Sequence, residues 1–546
     1  MPTTIHDLLA QYASMARDTR EKGFLFERLT KAYLTTDPVW TARFSEVWLW
    51  QDWPGRDGKP DTGIDLVAKE RWGDGYCAIQ AKFFDPTHYL QKSVIDSLFT
   101  ASGKHPFTSR TIISTTDKWS KHADDALVNQ NVKTWRIGID DMAESEIDWS
   151  RYSLTNPDEL DRGAPKTLRP HQVKALGDVQ LCFEASARGK LIMACGTGKT
   201  FTGLRIAEAV AGVGGSVLFL VPSIALMSQT LKEWSAERKL PMRAFAICSD
   251  TKVGKNAEDY SVSDLAYPAT TSTEQLLKEV AKADASDGLT VYFSTYQSID
   301  VVAKAQVAGL PNFDLVICDE AHRTAGFTLS GATESAFLRV HDETAIKAAK
   351  RLFMTATPKI YAEAVRTKAS EKDAVLVSMD DEAVFGPVFH RLGFGEAVER
   401  DLFTDYRVLV LAVDEGTIGA GFQEQFATDG QLNIPDAARI VGIYNWLAKR
   451  GVQGLGTEPG AREPLRRAVA FSRSIKDSQK VRSMVDGFDG QIGTVTKVAF
   501  RDEGAPRGSD VPLRLEAKHV DGTMNVQIRN GMLDWLKAEQ DPDDNV

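Results

Sequence analysis

The chain has 546 residues, is 43% hydrophobic and 26% charged, and carries a formal net charge of −10. That length exceeds a single hydrophobic core and predicts several domains. The ordinary globular composition, with no apolar run near the ~20 residues of a bilayer span, argues against a membrane-spanning or disordered chain.

Five cysteines (Cys77, Cys182, Cys195, Cys248 and Cys318) form no CxxC pair. They argue against a zinc site or a disulfide framework and predict reduced thiols in a cytoplasmic protein. The acidic balance speaks only weakly against nucleic acid, because backbone binding needs a local basic groove rather than a basic total.

Residues 1–150 read as a mixed α/β domain. "MPTTIHDLLAQYASMARDTREK" is an amphipathic helix candidate without an apolar signal-peptide core, and "GFLFERLTKAYL" has helical periodicity. Residues 61–84 read as a hairpin of two strands; "KSVIDSLFTASG" is helical, and "SRTIISTTD" and "KTWRIGIDD" are further strands. In the hairpin, Asp65 interrupts "GIDLVA", and Gln80 and Lys82 alternate with apolar residues in "CAIQAKFF". Strand alternation puts Gln80 and Lys82 on one face, and Asp65 can face them across the hairpin. An exposed face of an amphipathic strand would give the same pattern without chemistry.

Residues 151–167 are polar, proline-bearing and aperiodic, as in a linker. Over residues 168–395, the apolar runs "GKLIMACG", "SVLFLVPS", "LTVYFSTYQ", "FDLVICDE" and "RLFMTATP" alternate with helices, which predicts a parallel sheet buried on both faces. The polar stretch from Ser249 to Ser272 reads as a surface loop over that sheet. A second α/β region, residues 396–546, includes "YRVLVLAVDE" and "RRAVAFSRSIKDSQKV".

"LIMACGTGKTFTGLRIAEAV" is a strand, a Gly-rich turn and a helix. Gly196, Thr197 and Gly198 form a turn whose N–H groups can close around phosphate at a helix N-terminus. Lys199 reaches the outer phosphates and the Thr200 hydroxyl ligates Mg²⁺. One departure is Met193, which stands where the strict phosphate-loop pattern has glycine. In "FDLVICDEAHRT" a strand delivers Asp319 and Glu320 at its C-terminal end, where open parallel sheets bind ligands. Asp319 would hold Mg²⁺ through water and Glu320 would orient or deprotonate the attacking water.

This series resembles superfamily 2 helicases and translocases of the DEAH-box type, from "LRPHQ" through "ACGTGKT", "LVPSIALMSQ", "STYQSI", "DEAH" and "TATP" to "VAFSRSIKDSQKV". The resemblance implies Gln172 as reader of adenine with Arg169 nearby. It places Ser223, Thr295 and Gln297 near a nucleic-acid backbone, Thr355 and Thr357 as couplers, and His322 as the link from Glu320 to them. It also implies later motifs that supply arginine fingers, which this sequence does not show; Arg529 has the wrong surroundings. The expectation is an ATP–Mg²⁺ site that hydrolyses poorly without further sequence.

The N-terminal block resembles the Mrr-like restriction endonucleases of the PD-(D/E)xK fold in the order "GFLFE", "TGIDLVA", "AIQAKFF" and "TIISTTDKW". That resemblance implies Asp65 and Gln80 as Mg²⁺ ligands and Lys82 as the cation beside the attacking water. Glu27 would be a further ligand or orient water, and Asp61 competes with Asp65.

The implied fold class is α/β: an Mrr-like nuclease followed by tandem RecA-like lobes, the second incomplete. Together the halves resemble the restriction part of single-chain restriction–modification enzymes of the Type ISP group. This implies double-stranded DNA as partner, with methyltransferase and target-recognition domains downstream. The rivals are a stand-alone or Type I-subunit-like helicase–nuclease of phage defence or repair, and a non-catalytic nucleic-acid scaffold.

Overall fold

The structure, a computed structural model, describes residues 4–404 except 59, 61–62, 72–74, 128–129, 153–159, 161–162, 249–268, 283–287, 330–335 and 363–373. Beyond Thr404 it describes scattered positions between 467 and 536. Two compact units divide the chain, Met1–Thr404 and Asp405–Val546. The strand expected at 406–415, part of the segment 469–481, Arg529 and Asp61 lie outside the described residues, as does most of the polar stretch expected as a surface loop.

The first unit opens with helices α1 (Ile5–Met15), α2 (Thr19–Thr36) and α3 (Pro38–Arg43). Each start follows from its capping residue: Thr4, Asp18 and Asp37 accept from backbone N–H groups of the first turn, and Pro38 is pre-set for the start of α3. Strands β1 (Phe44–Leu49), β2 (Leu66–Glu70) and β3 (Tyr76–Lys82) follow as an antiparallel meander. Helix α4 (Lys92–Ala101) then crosses to β4 (Phe107–Ser114), and α5 (Lys121–Leu127) to β5 (Lys133–Ile137), both strands running parallel to β3. A short helix α6 (Ile139–Ala143) closes the block.

The sheet order is β1-β2-β3-β4-β5. Alternation along β3 sends Cys77, Ile79 and Ala81 into the apolar cluster shared with α2, and Ala78 into the one shared with Ile95 and Leu98 of α4. The expected hairpin is therefore two buried central strands, covered on both faces.

The remainder of the unit is an eight-stranded sheet of order β15-β6-β13-β11-β7-β10-β8-β9, parallel throughout. Its elements are α7 (Pro170–Ala185), β6 (Arg188–Met193), α8 (Lys199–Ala211), β7 (Ser216–Val221), α9 (Ile224–Glu237), β8 (Met242–Ile247), β9 (Ala269–Thr270), α10 (Thr273–Val280), β10 (Leu289–Thr295), α11 (Ile299–Val307), β11 (Phe313–Cys318), β13 (Ala348–Thr355) and β15 (Val388–Leu392). A separate antiparallel pair, β12 (Gly326–Leu329) and β14 (Ala374–Val377), stands apart from it. The continuous apolar runs match this placement, since β7, β10 and β11 bury side chains on both faces.

The two blocks of this unit are not beads on a string. One apolar cluster runs without a break from Leu66 and Ile79 to Val179 and Phe219, with α3 packed on α9. Polar ties cross the junction: Lys232 of α9 pairs with Asp141 of α6 at 2.7 Å, Arg238 donates to the Pro38 carbonyl at 3.0 Å, and Lys133 donates to the Ala269 carbonyl at 2.6 Å. The segment expected as a linker is strapped down where described, with Lys166 N–H donating to Glu237 at 2.8 Å and the Tyr12 hydroxyl donating to that of Tyr152 at 2.8 Å. Among the described residues no helix is long and apolar enough to cross a membrane.

Candidate functional site

The first candidate site lies where β2 begins and β3 ends. Asp65 extends the ladder before β2, its N–H donating to the Ile79 carbonyl at 2.9 Å. Its carboxylate accepts from Ala81 N–H at 2.8 Å and lies 3.6 Å from the Lys82 ammonium. The pair is largely shielded, with side-chain exposures of 25% for Lys82 and 11% for Asp65.

Gln80 lies one residue past the last register pair, Leu66 with Ile79, and is 1% exposed. Its Nε2 donates to the Gly63 carbonyl at 2.9 Å and lies 3.4 Å from Ser97 Oγ on α4. Its Oε1 is buried without a hydrogen-bond partner. A buried orphan oxygen costs about 1–3 kcal/mol, so it fits an electropositive occupant.

Among the described residues no three His, Cys, Asp or Glu side chains converge as a metal cluster. A divalent ion would therefore be held by Asp65 with the neutral Gln80 oxygen, a hard-oxygen set suited to Mg²⁺. Glu27 sits on α2 beside Phe26, whose ring meets Phe83 at 5.9 Å just past Lys82. Its helix covers the face of the sheet opposite to α4, where Gln80 meets Ser97. Sequence reasoning missed Gly63 and Ser97. Gly63 has φ +93°, and any Cβ there would meet the Ser97 side chain. A glycine ahead of an acidic strand end was the only available signal.

The second candidate site lies at the C-terminal edge of the parallel sheet. Gly196 and Gly198 take φ of +82° and +80° between β6 and α8, the left-handed conformation that the turn requires. Met193, the departure from pattern, ends β6 inside the core, fully buried. Thr197 Oγ1 donates to the Ala194 carbonyl at 2.7 Å, and the Trp234 indole donates to the Thr200 carbonyl at 3.0 Å, fixing the first turn of α8.

Gln172 is buried and braces this loop. Its Oε1 accepts from Arg169 N–H at 2.8 Å, and its Nε2 lies 3.3 Å from the carbonyls of both Thr197 and Gly198. Both ends of the amide are thus engaged within the protein, which differs from an amide waiting for a base. His171, which sequence reasoning passed over, also reaches the Thr197 carbonyl, at 3.0 Å.

Asp319 and Glu320 follow β11, two strands from β6 across β13. Burial, with the Glu320 charge second, pushes the Asp319 carboxyl up to about 6; Lys199 pulls the other way. Glu320 has φ +47°, a left-handed conformation that is strained for a non-glycine residue. His322 Nδ1 lies 3.2 Å from Glu320 and 3.1 Å from Thr355 Oγ1, and Thr355 in turn accepts from Thr357 N–H at 3.2 Å. Burial lowers the His322 pKa, against the Glu320 charge, and the ring bridges the acid to β13.

Of the residues expected near a nucleic-acid backbone, Ser223 caps α9 and Thr295 is turned inward to Ser298, whereas Gln297 is exposed.

Residues 35–159 match the restriction endonuclease family of the Mrr catalytic class, and residues 165–360 match the family described as Type III restriction enzyme, res subunit. The ATP-dependent Type ISP restriction–modification enzyme LlaBIII, solved bound to DNA, superposes with a TM-score of 0.78 at 38% identity, covering 99% of this chain and 34% of that one. A nuclease-deletion mutant of the Type ISP enzyme LlaGI gives a TM-score of 0.47 at 35% identity over 69% of this chain and 24% of that one. A protein of African swine fever virus described as a probable helicase is 27% identical over 232 residues, 42% of this chain and 22% of that protein. The chain therefore spans about a third of LlaBIII and about a fifth of the viral protein.

Proposed function

We propose that this chain, which joins a restriction-endonuclease domain to a res-type helicase domain, is the cutting and motor part of a Type ISP-like restriction–modification enzyme. It would act in the cytoplasm on double-stranded DNA that lacks the host's modification. Residues 1–150 form the nuclease, 151–167 the connection, 168–395 the first RecA-like lobe and 396–546 part of a second. Methyltransferase and target-recognition domains complete the enzyme.

The observation that carries this reading is the pairing of Asp65 with Lys82 at 3.6 Å, together with the buried orphan oxygen of Gln80, in one compact unit with a formed phosphate loop. Mg²⁺, when bound, supplies Lewis-acid polarisation of the scissile phosphate at the first site and charge neutralisation of ATP at the second. At the first site Asp65 and Gln80 would hold the metal, Lys82 would keep a cation beside the attacking water, and Glu27 would orient that water or add a further ligand. At the second, Gly196, Thr197, Gly198 and Lys199 would bind phosphates, and Thr200 and Asp319 would hold the metal. Glu320 orients the water that attacks the outer phosphate, held to β13 through His322.

The test is a pair of variants in the complete enzyme. Lys82→Ala should lower cleavage by roughly 10²-fold or more while DNA-stimulated ATP turnover persists. Lys199→Ala should abolish nucleotide turnover and, with it, cleavage that depends on translocation. Mg²⁺-dependent cutting that survives Lys82→Ala would remove the nuclease site from this reading.

A further inference from the structure

The wider PD-(D/E)xK pattern more commonly carries an acid two positions before the lysine, and the Mrr-like branch that residues 61–84 resemble also uses glutamine, as at Gln80. The structure supplies a local reason. The Gly63 carbonyl, 2.9 Å from Gln80 Nε2, is an acceptor only, and it points at the inner atom of the side chain. A carboxylate in the same rotamer would set oxygen against oxygen, in a place with almost no solvent, since Gln80 is 1% exposed. The carbonyl cannot swing away. Gly63 is held at φ +93°, and the chain there lies so close to α4 that a Cβ at Gly63 would come 2.7 Å from Ser97 Cβ. Ser97 Oγ adds a second contact to the same nitrogen at 3.4 Å. With Nε2 fixed inward, the side chain has one way to place Oε1, and that oxygen is the one left without a partner.

We propose that the Gly63 carbonyl, which demands a donor, and Ser97 Oγ, which accepts from the same nitrogen, form a lock that makes residue 80 a carboxamide and aims its oxygen at the divalent cation. Gly63 and Ser97 are then positioning residues of the metal site, and the site is built for a ligand set with one negative charge fewer than an acid at position 80 would give. The inference rests on the nuclease reading and sharpens it. It carries an unusual sign: adding a negative charge at position 80 weakens cation binding, whereas charge count alone would strengthen it.

The test measures Mn²⁺ binding to the full, nucleotide-free chain by the loss of the free-ion electron paramagnetic resonance signal. Wild type, Asp65→Ala, Gln80→Glu and Ser97→Ala are compared, with thermal melts without metal to confirm that each is folded. Asp65→Ala should remove one Mn²⁺ site. Gln80→Glu should weaken that site by roughly tenfold or more, in the range of altered support around metal ligands, and Ser97→Ala should weaken it several-fold.

If Gln80→Glu binds Mn²⁺ as tightly as wild type or more tightly, the lock is wrong while the nuclease reading stands. If Asp65→Ala leaves Mn²⁺ binding unchanged, both fall. If Gln80→Glu does not fold, the decision passes to Ser97→Ala: unchanged Mn²⁺ affinity then overturns the lock, and weakened affinity supports it.

Discussion

Asp117, between β4 and α5, was not singled out by the sequence, and its environment makes it a titration probe for the nuclease block. Burial, then the charges of Asp140 and Asp141, push its carboxyl from 3.8 up to about 7, against a hydrogen bond from Ile139 N–H. A folded-state value above the unfolded one means that its stabilising contribution is fully present below the unfolded pKa. That contribution is lost as pH rises through about 7. Asp117→Asn keeps the acceptor and removes the charge. The variant should therefore gain stability over wild type on going from pH 5 to pH 8, by up to a few kcal/mol, read from urea midpoints at each pH. A difference that does not change with pH would show Asp117 to be ionised without penalty. Residue chemistry of this kind is hidden in sequence, because Asp140 and Asp141 reach Asp117 only where the start of α6 meets it, at Gly138 and Ile139. Asp65, Gln80 and Lys82 were legible for the opposite reason: strand alternation and a short hairpin place them together by local rules alone.

Between residue and domain stands the phosphate loop, where Gln172 and His171 of α7 hold the turn from beneath. Reading the base and bracing the loop make different predictions for Gln172→Ala. Two contacts of ordinary strength to the Thr197 and Gly198 carbonyls are worth about 1–3 kcal/mol together, so a bracing role should weaken ATP by roughly tenfold or more. GTP affinity should fall by the same factor, measured by equilibrium titration of both nucleotides. A loss confined to ATP would return Gln172 to the base-reading role. The parallel strands and the turn were legible from apolar runs and glycine spacing. The bracing was not, because Gln172 Nε2 is spent on carbonyls some 25 residues away that the sequence does not bring near it, and a motif shows which residue is present without showing what it touches.

Over the whole of the first unit, the feature with the widest reach is the junction. An apolar cluster shared between the nuclease block and the parallel sheet, tied by Lys232, Arg238 and Lys133, predicts that they unfold as one cooperative body. Calorimetry of the full chain should show no separate nuclease transition. Saturating ATP–Mg²⁺ should slow amide hydrogen exchange in β3 and β4 as well as in α8. A nuclease transition that does not move with nucleotide would refute this.

Nothing in residues 151–167 announced the junction, since a polar, proline-bearing segment looks the same whether it swings free or is strapped across a packed surface. Its consequence concerns effective concentration. A cutter on a loose tether meets any duplex within reach, including the host's own. One seated on a motor lobe meets, at high local concentration, only phosphodiesters delivered along that motor's path, and almost none elsewhere. On the function proposed above, restraint toward bystander DNA would then be a property of packing, present before any target is read.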